Sequence, residues 1–217
     1  MNRCGVLAGL LVLGAVGWRP GSAEAVVLIN EVLADPSTIF GDANGDGVIS
    51  TTQDEFVELI NTADDPVSLA QWTLSDAVQV RHVFSAGALI PAYGFFVVFG
   101  GGTPTGFANV ATASTKTLGL NNSSDTVTLR DVLAVPVDGF TYGAAGGQDV
   151  SLTRFPDAEG LFVQHSSVSN RAFSPGTTVG GLRTLPHDSP DPPAIPEPSA
   201  FLLFGLGLCG FPRLRRP

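Results

Sequence analysis

Glu55-Phe56-Val57-Glu58-Leu59-Ile60 carries the alternation of a β-strand: Val57 and Leu59 fall on one face and Glu58 on the other, toward solvent. Just ahead of it lies Gly41-Asp42-Ala43-Asn44-Gly45-Asp46-Gly47-Val48-Ile49-Ser50. Asp42, Asn44 and Asp46 put an oxygen-bearing side chain at every second residue, and Gly47 follows where a loop around a cation turns sharply. That is the first half of an EF-hand-type calcium loop, since a hard cation takes several oxygens at about 2.3–2.6 Å. The expected ligands are Asp42, Asn44, Asp46, the Val48 carbonyl and Ser50. The twelfth position from Asp42 is Gln53, which has no carboxylate, so the closing ligand comes from a slightly longer loop. Glu55 is expected there, with Glu31, Asp35 and Asp54 as further candidates. The flanks read as strands, not as the helices of a true EF-hand. The expectation is an EF-hand-like loop holding structural Ca2+, inserted between the first two strands of a β framework.

Outward from that point the chain reads as short strands and turns. Val26–Leu33 alternates loosely. Val67–Leu69 and Trp72–Leu74 form short strands around a corner, and Val78–Phe84 alternates. Phe95–Phe99 is apolar on both faces, as in a doubly covered central strand. Gly100–Pro104 reads as a flexible loop and Asn109–Ala113 as a short strand. Asp125–Arg130 pairs with Val135–Tyr142 as a hairpin, and Val150–Arg154 is the last core strand. Beyond Asp157 the chain is expected to be irregular. Seven or more short strands at this spacing, with abundant Gly and Pro, predict an all-β fold: an immunoglobulin-like sandwich of two sheets over 26–181.

The two ends carry different chemistry and are expected as apolar helical segments. Residues 1–25 have the form of a secretory signal: Arg3, an apolar run from Val6 to Val16, then the small-x-small site Ala23-Glu24-Ala25. Residues 182–195 are a proline-rich linker. In 196–217, Pro196-Glu197-Pro198 precedes an apolar stretch of about 21 Å, short of a bilayer core, and Arg213, Arg215 and Arg216 close it. Cys4 and Cys209 both fall inside these ends, so the body between them contains no cysteine. Without the signal and the terminal arginine cluster, and with Glu197 retained, six basic and nineteen acidic residues remain, a formal charge near −13. Such a surface repels phosphate backbones and attracts divalent cations, which argues against nucleic-acid binding.

Two resemblances follow from these residues. Pro196-Glu197-Pro198, the apolar run and the arginine cluster at the C-terminus resemble the PEP-CTERM sorting signal of Gram-negative bacteria. That implies export, signal peptidase and exosortase as processing partners, transient membrane insertion of the tail, and delivery to the envelope, cell surface or extracellular matrix. The body resembles a bacterial lamin-tail domain. The resemblance rests on Leu28-Ile29-Asn30-Glu31-Val32, Asp54–Asn61, Trp72-Thr73-Leu74-Ser75-Asp76, Asp125–Leu129, Val137–Gly143, Ser151–Asp157 and Ser174-Pro175-Gly176-Thr177. Gln71 stands where that pattern has a strand-end glycine, and the turn after Arg130 also lacks one. The resemblance implies an immunoglobulin-like sandwich, a binding or structural module, and no shared catalytic residues.

Enzyme chemistry finds little footing. His82 lies on an alternating strand and His187 in the linker; neither has a nucleophile-elbow serine nearby. His165 adjoins Ser166 and Ser167, but adjacency in sequence is not triad geometry. The leading expectation is a non-enzymatic module for adhesion or for exopolysaccharide and matrix assembly, with polysaccharide or matrix protein as partner. The alternative is a secreted metal-assisted hydrolase, esterase- or nuclease-like, using the acidic loop.

Overall fold

The computed structural model of the chain describes residues 26–187. The signal segment, the end of the linker and the sorting segment with Pro196, Glu197, Pro198, Arg213, Arg215 and Arg216 lie outside them, as do the terminal apolar helices expected there. The described residues form twelve strands: β1 (Val27–Leu33), β2 (Phe56–Asn61), β3 (Val67–Ser68), β4 (Thr73–Ser75), β5 (Val80–Val83), β6 (Leu89–Ile90), β7 (Phe95–Phe99), β8 (Val110–Thr112), β9 (Asp125–Arg130), β10 (Pro136–Tyr142), β11 (Leu152–Phe155) and β12 (Leu161–Gln164). The other regular elements are two short 3-10 turns; no α-helix occurs among the described residues.

A large sheet runs in the order β12-β11-β1-β2-β7-β8 and a smaller one in the order β10-β9-β4-β5, with β3 and β6 as a separate pair. All pairings are antiparallel except β7 with β8. The two main sheets face each other across one apolar core. Val27, Ile29, Val32, Val57, Leu59 and Val98 of the large sheet meet Leu74, Val127, Leu129 and Tyr142 of the small one. A fully buried side chain of this size contributes about 1.5–3 kcal/mol. The expected all-β, two-sheet sandwich is therefore what the chain forms.

The large sheet is covered on its outer face as well, which explains why β2 and β7 are buried along their whole length. Phe56, Val97 and Phe99 point away from the core and pack with Leu33, Ala43, Phe107 and Phe173. Ile60 and Phe95 pack with Leu28, Ala158 and Leu185. Most of the cover is chain 156–186, expected as irregular and then linker, and Ala43 and Phe107 complete it. It contains β12, which extends the sheet beyond β11 and which sequence patterning missed. Leu161–Gln164 has no clean alternation, since Phe162, Val163 and Gln164 are all half buried and only Leu161 is exposed.

A bulge in β1 sets the outer face. The pairing Ile29 with Leu59 is followed by Glu31 with Glu58, so Asn30 is the extra residue. Ile29 and Val32 both face the core although they are three apart, and this is the physical source of the loose alternation in the sequence. Asn30 and Glu31 are thereby both turned outward, opposite Glu58. Two left-handed positions also match the sequence pattern: Gln71 has φ 63° where the resemblance has glycine, and Ala134 has φ 61° in the turn after Arg130.

Candidate metal loop and a buried carboxylate clasp

Residues 41–54 form a coil held by its own side chains. Asp42 Oδ2 accepts the Gly47 N–H at 3.0 Å, Asn44 Oδ1 the Asp46 N–H at 2.9 Å, and Asp46 Oδ1 the Val48 N–H at 2.9 Å. Asp54 closes the coil from its far end. Its two carboxylate oxygens accept the N–H groups of Asn44 (3.0 Å) and Ser50 (2.8 Å). The residue after Gln53 therefore ties the two ends of the coil together by hydrogen bonds.

The second wall of the coil is Gly100–Thr105, expected as a free flexible loop and found docked. Thr103 N–H donates to Asp46 Oδ2 at 2.9 Å and Thr105 N–H to the Asn44 carbonyl at 2.9 Å, and the Thr105 hydroxyl bonds the Gly45 carbonyl. Asn44 Nδ2 reaches the Gly101 carbonyl at 3.3 Å. Gly102 (φ +77°) is required here, because a Cβ would collide with the side chains of Asn44 and Asp46. The N–H donors from Thr103 and Val48 hold the Asp46 carboxyl below the usual range. Burial instead raises Asp54, with Asp42 adding like charge.

Of the expected ligand set, Asp42, Asn44, Asp46, the Val48 backbone, Ser50 and Asp54 lie in this one coil. The structure does not bring Glu31, Asp35 or Glu55 to it. Asp35 Oδ1 accepts Asn122 Nδ2 at 2.6 Å. Glu55 precedes β2 in phase with Val57 and faces between the sheets. Its Oε2 accepts the Gly119 N–H at 2.9 Å, and burial pushes its pKa up to about 7, partly offset by the Gly119 and Leu120 amides and by Arg81. Arg81 itself is paired with Asp76 at 2.5 Å. Among the described residues no three His, Cys, Asp or Glu side chains are placed to hold a metal together. The coil's oxygens are a mixture of carboxylate, amide, hydroxyl and carbonyl, which is the hard donor set that Ca2+ takes. Asp42 Oδ1 is buried and has no hydrogen-bond partner, so one carboxylate oxygen in the coil has its acceptor capacity unused.

The second acidic group was missed by sequence reasoning. Glu58, read as a solvent residue, is fully buried, and so is Glu31. The cover over the large sheet hides the face that the alternation had assigned to solvent. Glu31 Oε1 accepts Ser151 Oγ (2.5 Å) and the Ser174 N–H (3.0 Å), and Oε2 accepts Ser174 Oγ (2.8 Å). His165 Nε2 lies 2.9 Å from Ser174 Oγ, and its Nδ1 lies 2.9 Å from the Arg171 carbonyl, which can only accept. Glu58 accepts Asn30 Nδ2 (2.9 Å) and the Gly176 N–H (2.6 Å). Asn30 in turn accepts the Ala158 N–H (2.9 Å) and reaches Asp157 (3.1 Å). Burial raises the pKa of Glu31, and of Glu58 further still, where Glu31 and Asp157 add repulsion. The available signals were the break in alternation at Asn30-Glu31 and the stretch Ser174-Pro175-Gly176. His165 and Ser174 are both buried within this network.

These features define a class: a β-sandwich whose larger sheet carries an acidic loop at one end and is clasped on its outer face by the following chain. The model of the Lamin Tail Domain family matches residues 20–144, and the chain belongs to that family. The match spans the sandwich through β10 and ends before the segment that supplies the clasp. No curated protein matches the chain.

Proposed function

We propose that the chain is an exported, non-enzymatic module of the envelope, cell surface or extracellular matrix of a Gram-negative bacterium, with Ca2+ as a structural ion in the 42–54 coil. Its work is adhesion or the assembly of exopolysaccharide and matrix. Family membership supports the module reading, and the order Pro-Glu-Pro, apolar run and arginines supports the address, with exosortase and signal peptidase as processing partners. Ca2+ would be held by Asp42, Asn44, Asp46, the Val48 carbonyl, Ser50 and Asp54. There it supplies charge neutralisation and fixes the coil against Gly100–Thr105.

The observation that carries the calcium reading is the unpartnered Asp42 Oδ1 inside a coil whose other carboxylate oxygens are already oriented by backbone N–H groups. Calorimetric titration of the chain with Ca2+ tests it. Saturation at about a hundred times Kd stabilises by about 2.7 kcal/mol, a rise in Tm of roughly 5–10 °C for a domain of this size. Asp42→Ala removes both the heat and the shift. Co-sedimentation with purified extracellular polysaccharide, with and without chelator, tests the matrix role. Neither heat nor retention would leave the coil a plain surface turn and the module without its partner.

A further inference from the structure

A second concave feature lies far from the coil in sequence. A groove of about 840 Å3 opens where the Pro91–Gly94 turn meets the Pro156–Glu159 turn. Leu28 and Leu185 line its apolar part and belong to the cluster around Ile60 and Phe95. Its polar lining includes Thr62, Tyr93, Asp157 and Glu159, and none of its described lining residues is basic. Mixed apolar and convergent polar lining at this size is the usual make-up of a small-ligand site.

Both walls are fixed in unusual backbone conformations. Tyr93 has φ 53° and Ala158 has φ 66°, two of the six described non-glycine residues in the left-handed region. Such a φ is uncommon for an aromatic residue, and strained positions of this kind collect at ligand clamps. Neighbouring chain holds each one. Tyr93 N–H donates to the Ala63 carbonyl (3.1 Å), and the Tyr93 carbonyl accepts the Leu185 N–H (2.8 Å). Ala158 N–H donates to Asn30 Oδ1, and Asp157 accepts the Val179 N–H at 3.2 Å. The clasp therefore serves as the back of this groove, and the walls need no reordering when a ligand enters.

We propose that this groove binds an oligosaccharide carrying free amino groups. Tyr93 supplies an amphipathic surface for a sugar face, Thr62 bonds ring hydroxyls, and the exposed Glu159 carboxylate takes an ammonium group, with Asp157, bonded to Asn30 and Val179, adding acidic character behind it. A uronic-acid polymer is disfavoured by the same two carboxylates. The inference rests on the reading of the chain as a matrix-binding module and names the glycan class and the place.

The test uses the full chain with four probes measured by calorimetry: chitosan hexamer, its fully N-acetylated counterpart, polygalacturonate and a Lys-Gly repeat peptide. Chitosan hexamer is expected to bind at least tenfold tighter than the acetylated form, with no binding of polygalacturonate. Tyr93→Asn, which tolerates the left-handed conformation, is expected to lose at least tenfold in affinity without lowering Tm. Glu159→Gln, on the exposed lip, is expected to bring chitosan down toward the acetylated probe. Absence of chitosan binding overturns the inference, as does unchanged binding by Tyr93→Asn. Equal or tighter binding of the peptide also overturns it, since bulk charge would then be the cause. The broader module reading is judged separately by Ca2+ heat and by retention on native polysaccharide, so the two can fail independently.

Discussion

The coil at 42–54 and the clasp around Glu31 and Glu58 are built from the same parts, yet Asp46 of the coil and the two glutamates of the clasp behave as opposites, while Asp54 of the coil is raised by burial as the glutamates are. Both use acidic side chains next to β1 or β2, and both orient them with backbone N–H groups and an asparagine. In the coil the Asp46 carboxylate is stabilised in its charged form. In the clasp burial raises both glutamates and disfavours their charged forms. What differs is the cover: residues 156–186 seal the outer face of the large sheet, whereas among the described residues the coil is walled by Gly100–Thr105, which leaves Asp46 partly exposed. Acidic residues therefore have to be placed before they can be assigned. One set holds a loop to its neighbour Gly100–Thr105 and the other locks a chain segment onto a sheet.

The largest expected effect breaks the lock. Glu31→Ala removes the acceptor for Ser151 Oγ, Ser174 Oγ and the Ser174 N–H in a site with no access to water. Leaving these three buried donors unsatisfied should cost about 3–5 kcal/mol together, read from the urea midpoint. Set against a usual stability of about 5–15 kcal/mol, that is a large share. A loss no bigger than that of an exposed substitution would show that the cover is held by apolar packing alone.

The pH response of the same site comes next. Glu58 is held well above its ordinary 4.5, first by burial and then by Glu31 and Asp157. The fold thus favours its protonated form. Its contribution is complete below the unfolded pKa and is lost as pH rises toward and through the folded value. Glu31 and Asp157 shift in the same direction. In chelator, the urea midpoint should fall as pH is raised from about 4.5, and Glu58→Gln should flatten that fall. A midpoint that climbs across this range would mean that the clasp is ionised and paired in the folded state.

Sequence and structure part company at the same cover. The sandwich was legible because Val57, Leu59, Val127 and Leu129 alternate strictly and because Phe95–Phe99 is apolar throughout. The turns at 42–47 were legible because Asp42, Asn44, Asp46 and Gly47 recur at a fixed local spacing. Glu58 was not, because period-two patterning says which face a residue takes and nothing about what lies on that face. The partners of Glu58 and Glu31 come from Ser174 and Gly176, more than a hundred residues away. Glu55 was misplaced for a related reason. It shares the core-facing phase of Val57, so its carboxylate leaves the coil that immediately precedes it.

A third change, smaller in stability, tests whether the coil depends on its docked neighbour. Gly102→Ala puts a methyl group against Asn44 and Asp46 at a left-handed φ. The expected loss is about 2 kcal/mol, combining the conformational penalty with displacement of the wall. Ca2+ affinity should fall with it, although the substitution removes no ligand. An unchanged calcium titration in this variant would separate the coil from Gly100–Thr105 and make the docking incidental.

The smallest effect is local and has the opposite sign to that of the clasp. The Thr103 and Val48 N–H groups lower the Asp46 carboxyl from its ordinary 3.8. Its contribution is therefore present above the unfolded value and lost as pH falls through the folded one. Acid should release the amides of Val48 and Thr103 while leaving the clasp at full strength, since the clasp glutamates favour protonation. Protection factors corrected for intrinsic exchange, followed below about pH 4, are expected to fall at those two amides and to hold in β2 and β7. Joint loss of protection at Thr103 and at Gly176, whose N–H bonds Glu58, would mean that one cooperative unit contains both acidic groups. The contrast between coil and clasp would then be one of chemistry without independence.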